Sequence, residues 1–255
     1  MSSQKIYLVT GANRGIGKGL VAAYISEPET VVIAAVRDPN HKTSQSLVLL
    51  PKATGSSLII VKMDMQSSAS ISEAIDTLKT RHGIKNIDVV VSNAGIGEVT
   101  GRLVETPVSV IQRFIDVNTF GPLNLFKTCL PMLLESQSPK FCIISSLAGS
   151  NNSLNTMLPT APYNASKLMV THFARWFAVE VPEVTTWSVH PGLVDTDMGI
   201  TGVDAITKMQ PEIGASLKCI STEESVAGLK TVIEGATKEN TSGHFLNYDG
   251  AELPW

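Results

Sequence analysis

The fold is decided by the stretch Lys5-Ile6-Tyr7-Leu8-Val9-Thr10-Gly11-Ala12-Asn13-Arg14-Gly15-Ile16-Gly17. Its first five residues predict a buried strand, and a glycine-rich turn follows at once. Gly11 can take the turn dihedral angles, Gly15 lets the backbone approach a pyrophosphate, and Gly17 permits close packing of the next helix. The N-terminus of that helix would then face the anion. The spacing G-x-x-x-G-x-G matches the common dinucleotide pattern G-x-G-x-x-G only in part, so a plain glycine-rich turn is the alternative.

Apolar runs and helical segments alternate along the rest of the chain. Apolar strands separated by helices predict an α/β fold: a single-domain, Rossmann-type, doubly wound parallel sheet of about seven strands with helices on both faces, spanning residues 1–255. Ligands of such a sheet bind at the carboxyl ends of its strands. The predicted strands lie near residues 5–9, 31–36, 58–62, 87–91, 140–144, 185–189 and 243–246, and helices begin near Gly17, Ser70, Thr106, Ala161 and Thr222, with Thr106-Pro107 as a cap and first turn.

Composition is that of an ordinary globular protein. The 255 residues are 43% hydrophobic and 17% charged, with a net charge of -3. This charge gives no electrostatic reason to expect a nucleic acid or an anionic membrane as a partner. Met1-Ser2-Ser3-Gln4 is polar and brief, which predicts no signal peptide. Cys129, Cys142 and Cys219 are odd in number and far apart, and the five His are scattered, so we expect a cytoplasmic protein with no metal site.

A possible proton donor lies in Tyr163-Asn164-Ala165-Ser166-Lys167. Residues four apart on a helix share one face, so the pattern brings a phenol beside an ammonium group. A cation about 4 Å from the phenol contributes roughly 4 kcal/mol favouring phenolate at an effective dielectric near 20. We therefore expect Lys167 to lower the pKa of Tyr163, by up to about 3 from its usual value. An ordinary surface helix is the alternative, because the motif is short.

Further short motifs follow in order along the chain. With the two motifs above, the set is Thr10 to Gly17, Asn93-Ala94-Gly95, Asp116-Val117-Asn118, Ser146 within residues 144–149, Tyr163 with Lys167, and Pro191 to Thr196. Taken together, these motifs resemble the classical short-chain dehydrogenases/reductases, in order and in separation, along nearly the whole chain. Within the family, the segments 34–39 and 248–250 are similar to fungal ketoreductases of the norsolorinic acid ketoreductase type and to carbonyl-reductase-like members.

The resemblance implies four catalytic residues. Tyr163 would give a proton to a carbonyl oxygen, and Lys167 would lower its pKa and hold the cofactor ribose. Ser146 would hydrogen-bond the same carbonyl oxygen, and strand alternation turns its neighbour Ser145 the other way. Asn118 would carry a water molecule that links Lys167 to solvent, although a helix kink is an alternative reason for that residue.

The cofactor prediction depends on the end of the second strand. Val36 stands where an acid would hold the ribose hydroxyls of NAD, and Arg37 follows it, with Arg14 as a second cation. Both cations favour NADP(H); the alternative is that Arg37 is solvated and Asp38 performs the acid's role. By resemblance, Val194 and Thr196 bind the nicotinamide carboxamide, and Asp64-Met65 contacts adenine unless it simply turns the chain. The predicted cofactor-binding residues are Gly11, Asn13, Arg14, Gly15, Ile16, Gly17, Arg37, Asp64, Met65, Asn93, Ala94, Gly95, Tyr163, Lys167, Val194 and Thr196.

Residues near 198–220 are predicted to form a substrate-binding lid. An apolar lining favours a hydrophobic ketone or aldehyde, polyketide-like or aromatic, and hence an NADPH-dependent ketoreductase of secondary metabolism. The alternatives are a non-redox cyclase or isomerase on the same scaffold, or an NADP(H)-sensing binding module. The candidate lining residues, each of which packs equally well in a core, are Met157, Leu158, Met198, Ile200, Ile206 and Met209.

Family members also form dimers through the helix that carries the tyrosine. A homo-oligomer, dimer or tetramer, is therefore predicted. On that helix Met169, Phe173, Trp176 and Phe177 form an apolar stripe, which a partner or the core explains equally well.

Overall fold

The computed structural model describes residues 4–152 and 159–255. Its strands are β1 Lys5–Thr10, β2 Thr30–Val36, β3 Ser57–Lys62, β4 Val89–Ser92, β5 Lys140–Ile144, β6 Thr185–His190 and β7 Phe245–Asn247. Across the described ranges these form a 7-stranded sheet in the order β3-β2-β1-β4-β5-β6-β7, with every neighbouring pair parallel. The predicted fold class is confirmed. The fourth and seventh strands begin slightly later than the apolar pattern predicts.

Helices connect the strands and cover both faces. They are α1 Gly15–Ile25, α2 Lys42–Gln45, α3 Ser68–His82, α4 Val108–Ile115, α5 Gly121–Leu133, α6 Ala161–Glu180, α7 Asp197–Met209, α8 Pro211–Ser216 and α9 Thr222–Gly235. The expected cap at Thr106 is wrong: Pro107 is the N-cap of α4, and the Thr106 hydroxyl donates to the carbonyl of Arg102 instead. None of the helices in the described residues is long and apolar enough to cross a membrane.

Alternate residues of the central strands supply two separate cores. On β1, Ile6 and Leu8 pack with α3, α5 and α6, whereas Tyr7 and Val9 pack with α1 and α9. Full burial of such a side chain contributes about 1.5–3 kcal/mol, and β1 is buried on both sides. This arrangement explains why the strand reads as a continuous apolar run rather than as an alternation.

The strand order creates a crevice between β1 and β4. β1 pairs with β2 on one side and with β4 on the other, so the chain leaves the centre of the sheet in opposite directions. The connections that follow β1 and β4 therefore diverge at the carboxyl edge. Ligands of open α/β sheets bind at such a switch point.

The apolar stripe predicted on α6 belongs largely to the core. Phe177 is buried and stacks on Phe126 with ring centroids 4.2 Å apart, and Phe173 packs against the same core. Trp176 is 49% exposed. Two candidate lining residues, Met157 and Leu158, lie outside the described residues, as does the predicted polar start of the chain at residues 1–3.

A buried lysine joins the sheet to α9. Lys140 is 6% exposed, and its Nζ donates to the carbonyls of Ile233 and Glu234 at 3.0 and 2.7 Å. The last carbonyls of a helix lack partners within the helix and attract positive charge. Burial lowers the pKa of Lys140, because the ammonium loses hydration when the side chain is buried.

Replacement of this lysine should destabilise the fold. We expect Lys140→Met to lower the free energy of unfolding by about 2 kcal/mol, because two carbonyls at the end of α9, one of them in a buried contact, lose their donor. Lys62→Met, the same change at an exposed strand position, is the matched control and should change it by less than about 0.5 kcal/mol. Urea denaturation measures both. Equal midpoints for the two variants would contradict this role of Lys140.

Candidate active site

Three glycines let α1 begin directly against the ends of β1 and β4. A β-carbon at Gly17 would lie 2.3 Å from the carbonyl oxygen of Gly11, and one at Gly11 would lie 2.9 Å from Cα of Ala94. Gly11 and Gly15 also have positive φ angles of 63° and 50°. Side chains at these positions would force the helix away from the strands, so the turn stays narrow and backbone-lined.

The segment Asn93-Ala94-Gly95 ties β4 to β1. Asn93 Nδ2 donates to the carbonyl of Thr10 at 2.8 Å, and the Thr10 hydroxyl accepts from the backbone N–H groups of Asn93 and Ala94, both at 3.0 Å. These hydrogen bonds hold the two strand ends at a fixed separation. Sequence reasoning missed Thr10, although its place immediately before the first glycine was a usable signal.

The N-terminus of α1 carries no side-chain cap among the described residues. Arg14 occupies the N-cap position without a capping hydrogen bond, and the first turn contains no acid. By contrast, Ser67, Thr196 and Ser221 cap α3, α7 and α9 through their hydroxyls. Free N–H groups at a helix start form an anion site, and the turn before α1 therefore suits a pyrophosphate.

The cations predicted to select the cofactor lie near this turn, in different surroundings. Arg37 is exposed at the end of β2, and within the described part of the chain its guanidinium pairs with no carboxylate. Asp38 is exposed, and its Oδ1 accepts from the backbone N–H of Asn40 at 2.9 Å. Arg14 forms an exposed ion pair with Asp197, which the sequence did not indicate, with Nη1 and Oδ2 3.3 Å apart.

Asn13 and Ile16 belong to the glycine-rich turn and the start of α1, whereas the pair Asp64-Met65 follows β3. Asn13 Nδ2 donates to the hydroxyl of Thr43 at 2.6 Å, which brings α2 against the glycine-rich turn. Ile16 packs against the core shared by α1 and α9. Asp64 Oδ1 accepts from the N–H of Gln66 at 3.0 Å, so its carboxylate takes part in a local turn.

Met65 is almost entirely withdrawn into the core. Its side chain is 5% exposed and belongs to the core beneath α3 and α5. A β-carbon at Gly121, the first residue of α5, would lie 2.8 Å from the Met65 carbonyl oxygen. The segment after β3 is therefore clamped against α5.

The loop after β6 returns to the glycine-rich turn. Val194 is 4% exposed and forms a bridge with Ile220. The Thr196 hydroxyl accepts from the N–H of Gly199 at 3.2 Å and caps α7. Thr196 Cγ2 lies 3.0 Å from the point where a β-carbon of Gly15 would be. The loop and the start of α1 therefore face each other across one narrow gap.

Tyr163 and Lys167 lie one turn apart near the start of α6. Lys167 Nζ is 5.8 Å from the centroid of the Tyr163 ring and donates to the carbonyl of Ile144 at 2.8 Å. Ser146 hydrogen-bonds the tyrosine through its side chain. Ser145 points elsewhere: its hydroxyl lies 2.5 Å from that of Thr171 in a buried contact. The geometry thus brings Ser146, not Ser145, to the phenol.

Asn118 lies in a π-helical turn, Asp116–Phe120, between α4 and α5. Its Nδ2 donates to the Ile96 carbonyl at 2.9 Å and to the Ser166 hydroxyl at 3.0 Å, and its Oδ1 accepts from the Ile96 N–H at 2.9 Å. A widened turn of this kind is frequent at functional sites and accounts for the predicted irregularity of the helix. A β-carbon at Gly95 would lie 3.1 Å from Asn118 Oδ1 and 3.6 Å from Lys167 Nζ.

The protonation states differ from the sequence-based expectation in one respect. Burial raises the pKa of Tyr163, and the hydrogen bond from Ser146 lowers it only in part. Burial also lowers the pKa of Lys167 to about 8. The expectation that Lys167 dominates the phenol pKa is therefore wrong here, because its Nζ is bound to the Ile144 carbonyl and desolvation outweighs its charge. At pH 7 the phenol is protonated and the ammonium largely charged.

One apolar side chain of α7, Met198, lies beside this group, and the other predicted lining residues of α7 differ in exposure. Met198, Ile200 and Met209 are 41%, 49% and 55% exposed, whereas Ile206 is 7% exposed and packs inward. The sequence reasoning missed Gly97, where a β-carbon would lie 2.8 Å from Met198 Sδ and 3.5 Å from Tyr163 Cε2. The repeat Gly95-Ile96-Gly97 was the available signal.

Comparison with known proteins agrees with this geometry. A family model described as short chain dehydrogenase matches residues 5–205. The short chain dehydrogenase gsfK of Penicillium aethiopicum is 47% identical over 251 residues, covering 97% of this chain and 98% of the relative. Norsolorinic acid ketoreductase of Aspergillus parasiticus is 35% identical over 256 residues, covering 99% and 92%. NADPH-bound carbonyl reductase from chicken fatty liver is 28% identical, with a TM-score of 0.84 over 99% of this chain and 100% of that one.

The predicted enzyme class is confirmed by these relatives. The protein is an oxidoreductase of the carbonyl reductase type, it acts on carbonyl or hydroxyl groups, and it uses a nicotinamide cofactor. With its family match over residues 5–205 and relatives that align along nearly its whole length, the chain belongs to the short-chain dehydrogenase family.

Proposed function

We propose that the protein is an NADPH-dependent ketoreductase that reduces a hydrophobic carbonyl compound, polyketide-like or aromatic, of secondary metabolism. The observation that carries the proposal is the contact between Ser146 and a protonated Tyr163, with the Lys167 ammonium one turn away. The apolar side chains of α7 support a hydrophobic substrate. One relative is named for the reduction of norsolorinic acid, which supports a substrate of this chemical kind.

In the proposed mechanism Tyr163 is the general acid. When bound, the nicotinamide cofactor supplies the hydride that reaches the carbonyl carbon. Tyr163 donates its proton to the carbonyl oxygen, and its raised pKa keeps that proton in place at neutral pH. The Ser146 oxygen accepts from the N–H of Ala148 at 3.2 Å, and its proton, directed at the phenol before substrate binds, would turn to the developing oxyanion.

Lys167 and Asn118 have positioning and proton-supply roles in this proposal. The Lys167 ammonium is fixed by the Ile144 carbonyl and lies close to the bare backbone of Gly95, where it would hold the cofactor ribose. The Asn118 side chain holds the backbone of Ile96 from both its N–H and its carbonyl, which keeps this loop against Lys167. A water molecule bound at Asn118 would return a proton from solvent to Tyr163 through Lys167.

Residues 198–220 act as the substrate lid in this proposal, within a single domain that spans the chain. Two observations support this lid. Apolar side chains of α7 are exposed, and the ion pair between Arg14 and Asp197 is exposed and weak. The predicted homo-oligomer and the cytoplasmic location stay predictions.

Substitution of the proton donor tests the mechanism. Tyr163→Phe should lower kcat for ketone reduction about a thousandfold, because the general acid is removed while the ring remains. Ser146→Ala should lower kcat about a hundredfold, with loss of one oxyanion donor. Ser145→Ala is the matched control and should keep kcat within about threefold, with a small loss of stability. Stopped-flow oxidation of NADPH measures all three. Equal losses for the two serine variants would contradict the assignment.

The pH dependence should report Lys167. The ammonium is charged below a pKa of about 8 and neutral above it, whereas Tyr163 stays protonated throughout this range. We therefore expect the initial rate, at low NADPH and low ketone, to fall as pH rises through about 8. Lys167→Arg should be slower at every pH but show no such fall, because a guanidinium stays charged. A flat wild-type profile from pH 6 to 9.5 would rule out this role of Lys167.

Cofactor preference should depend on Arg37. Arg37→Ala should weaken NADPH binding at least about tenfold and leave NADH binding nearly unchanged, because the lost contact is to the 2′-phosphate. Asp197→Asn should strengthen NADPH binding by up to about threefold, because an exposed ion pair that competes for Arg14 is removed. Arg81→Ala, an exposed arginine on α3, is the control. Fluorescence titration gives each Kd, and tighter wild-type binding of NADH than of NADPH would overturn the NADP(H) assignment.

A further inference from the structure

Gly97 lies where the loop after β4 passes the phenol of Tyr163. The point that a β-carbon of Gly97 would occupy is 2.8 Å from Met198 Sδ, 3.3 Å from Met198 Cγ and 3.5 Å from Tyr163 Cε2. Because both side chains approach this one point, the thioether and the edge of the tyrosine ring lie together against bare backbone. We call the surface formed by these residues the Gly97–Met198 wall.

Met198 joins this wall to α7. It lies in the first turn of the helix, just after the capping residue Thr196, and is 41% exposed. One part of its side chain therefore contacts the loop beside Tyr163 while the rest is open to solvent at the mouth of the crevice. A thioether adapts its shape and makes favourable contacts with the edges of aromatic rings.

The charged side chain that follows Gly97 in the sequence is held in an ion pair. The residue after Gly97 is Glu98, and its carboxylate forms an ion pair with Arg113 of α4. Behind Tyr163, Phe114 is fully buried and meets the tyrosine ring edge to face, with centroids 6.4 Å apart. The Glu98 carboxylate is therefore paired rather than free beside the wall, and an aromatic ring packs behind the phenol.

We infer that Gly97 and Met198 determine substrate specificity by admitting a flat aromatic ring beside the carbonyl that Tyr163 protonates. The ring would lie against the Met198 thioether, which can lie back from the phenol because it packs on the bare backbone of Gly97. A methyl group at residue 97 would displace the sulfur and narrow this space, whereas a small aliphatic ketone would not need it. The inference rests on the proposed ketoreductase function and adds to it the two residues that select aromatic over small aliphatic ketones.

A double-mutant cycle with two substrates tests this inference. The probes are 1-acetylnaphthalene, an aromatic ketone, and 2,3-butanedione, a small aliphatic one, with kcat/KM measured for each. Gly97→Ala should lower kcat/KM about tenfold for the aromatic ketone and change it less than about threefold for the aliphatic one. In a Met198→Ala background the same change should alter the aromatic value less than about threefold, because the methyl group no longer meets the sulfur.

Two controls separate specificity from general damage. Gly235→Ala on α9 adds a methyl group to open space, with nothing within 4 Å, and should leave both kcat/KM values unchanged. Met198→Leu nearly conserves volume and should keep the preference for the aromatic ketone, whereas Met198→Ala should reduce it. Melting temperatures verify folding, and the two Met198 variants decide the question even where Gly97→Ala does not fold.

The failure of this inference differs from failure of the proposed function. Additive effects in the cycle, or equal losses for both ketones, would overturn the role of the wall while the enzyme remains a reductase. A wild-type protein that binds NADPH but reduces neither probe nor any other ketone would overturn the proposed function and this inference together.

Discussion

A β-carbon at Gly17 would lie 2.3 Å from the carbonyl oxygen of Gly11 and 2.6 Å from Asn93 Nδ2, so α1 starts in contact with two strand ends at once. This close approach orders the rest of the site. It leaves the first N–H groups of α1 open to an anion, and it places the ends of β1 and β4 where Thr10 and Asn93 can exchange hydrogen bonds. The fixed strand end in turn directs Gly95 towards Lys167.

Burial at the Tyr163–Lys167 pair acts in opposite directions on the two groups. Desolvation raises the pKa of the phenol and lowers that of the ammonium to about 8, so both neutral forms are favoured. For reduction this is useful for the tyrosine, which must hold a proton until the hydride arrives. For the lysine, desolvation disfavours the charged ammonium, and the hydrogen bond from Nζ to the carbonyl of Ile144 offsets this. The site therefore depends on β5, whose last residue supplies that carbonyl.

The fold was predictable because its signals are local. Buried parallel strands are continuous apolar runs, and the glycine spacing after β1 reflects a steric requirement that shows in the sequence alone. The pairing of Ser146 rather than Ser145 with Tyr163 also followed from strand alternation. Other features depend on contacts between distant segments: the phenol pKa depends on burial, the ion pair of Arg14 joins residues 14 and 197, and the thioether of Met198 meets Gly97. Such contacts leave no periodic pattern in the sequence from which they could be predicted.

The first turn of α7 connects the two halves of the site. Consecutive residues there reach opposite sides: Asp197 pairs with Arg14 of the glycine-rich turn, and Met198 contacts Gly97 beside Tyr163. Thr196, which caps this turn, itself faces Gly15. The backbone of one helical turn is stiff, so a movement that separates Asp197 from Arg14 also moves the thioether relative to the phenol. An exposed ion pair contributes at most about 1 kcal/mol, which makes this coupling easy to reverse. If the proposed function holds, the cofactor phosphate and the substrate ring would act on the same short segment, from its two sides.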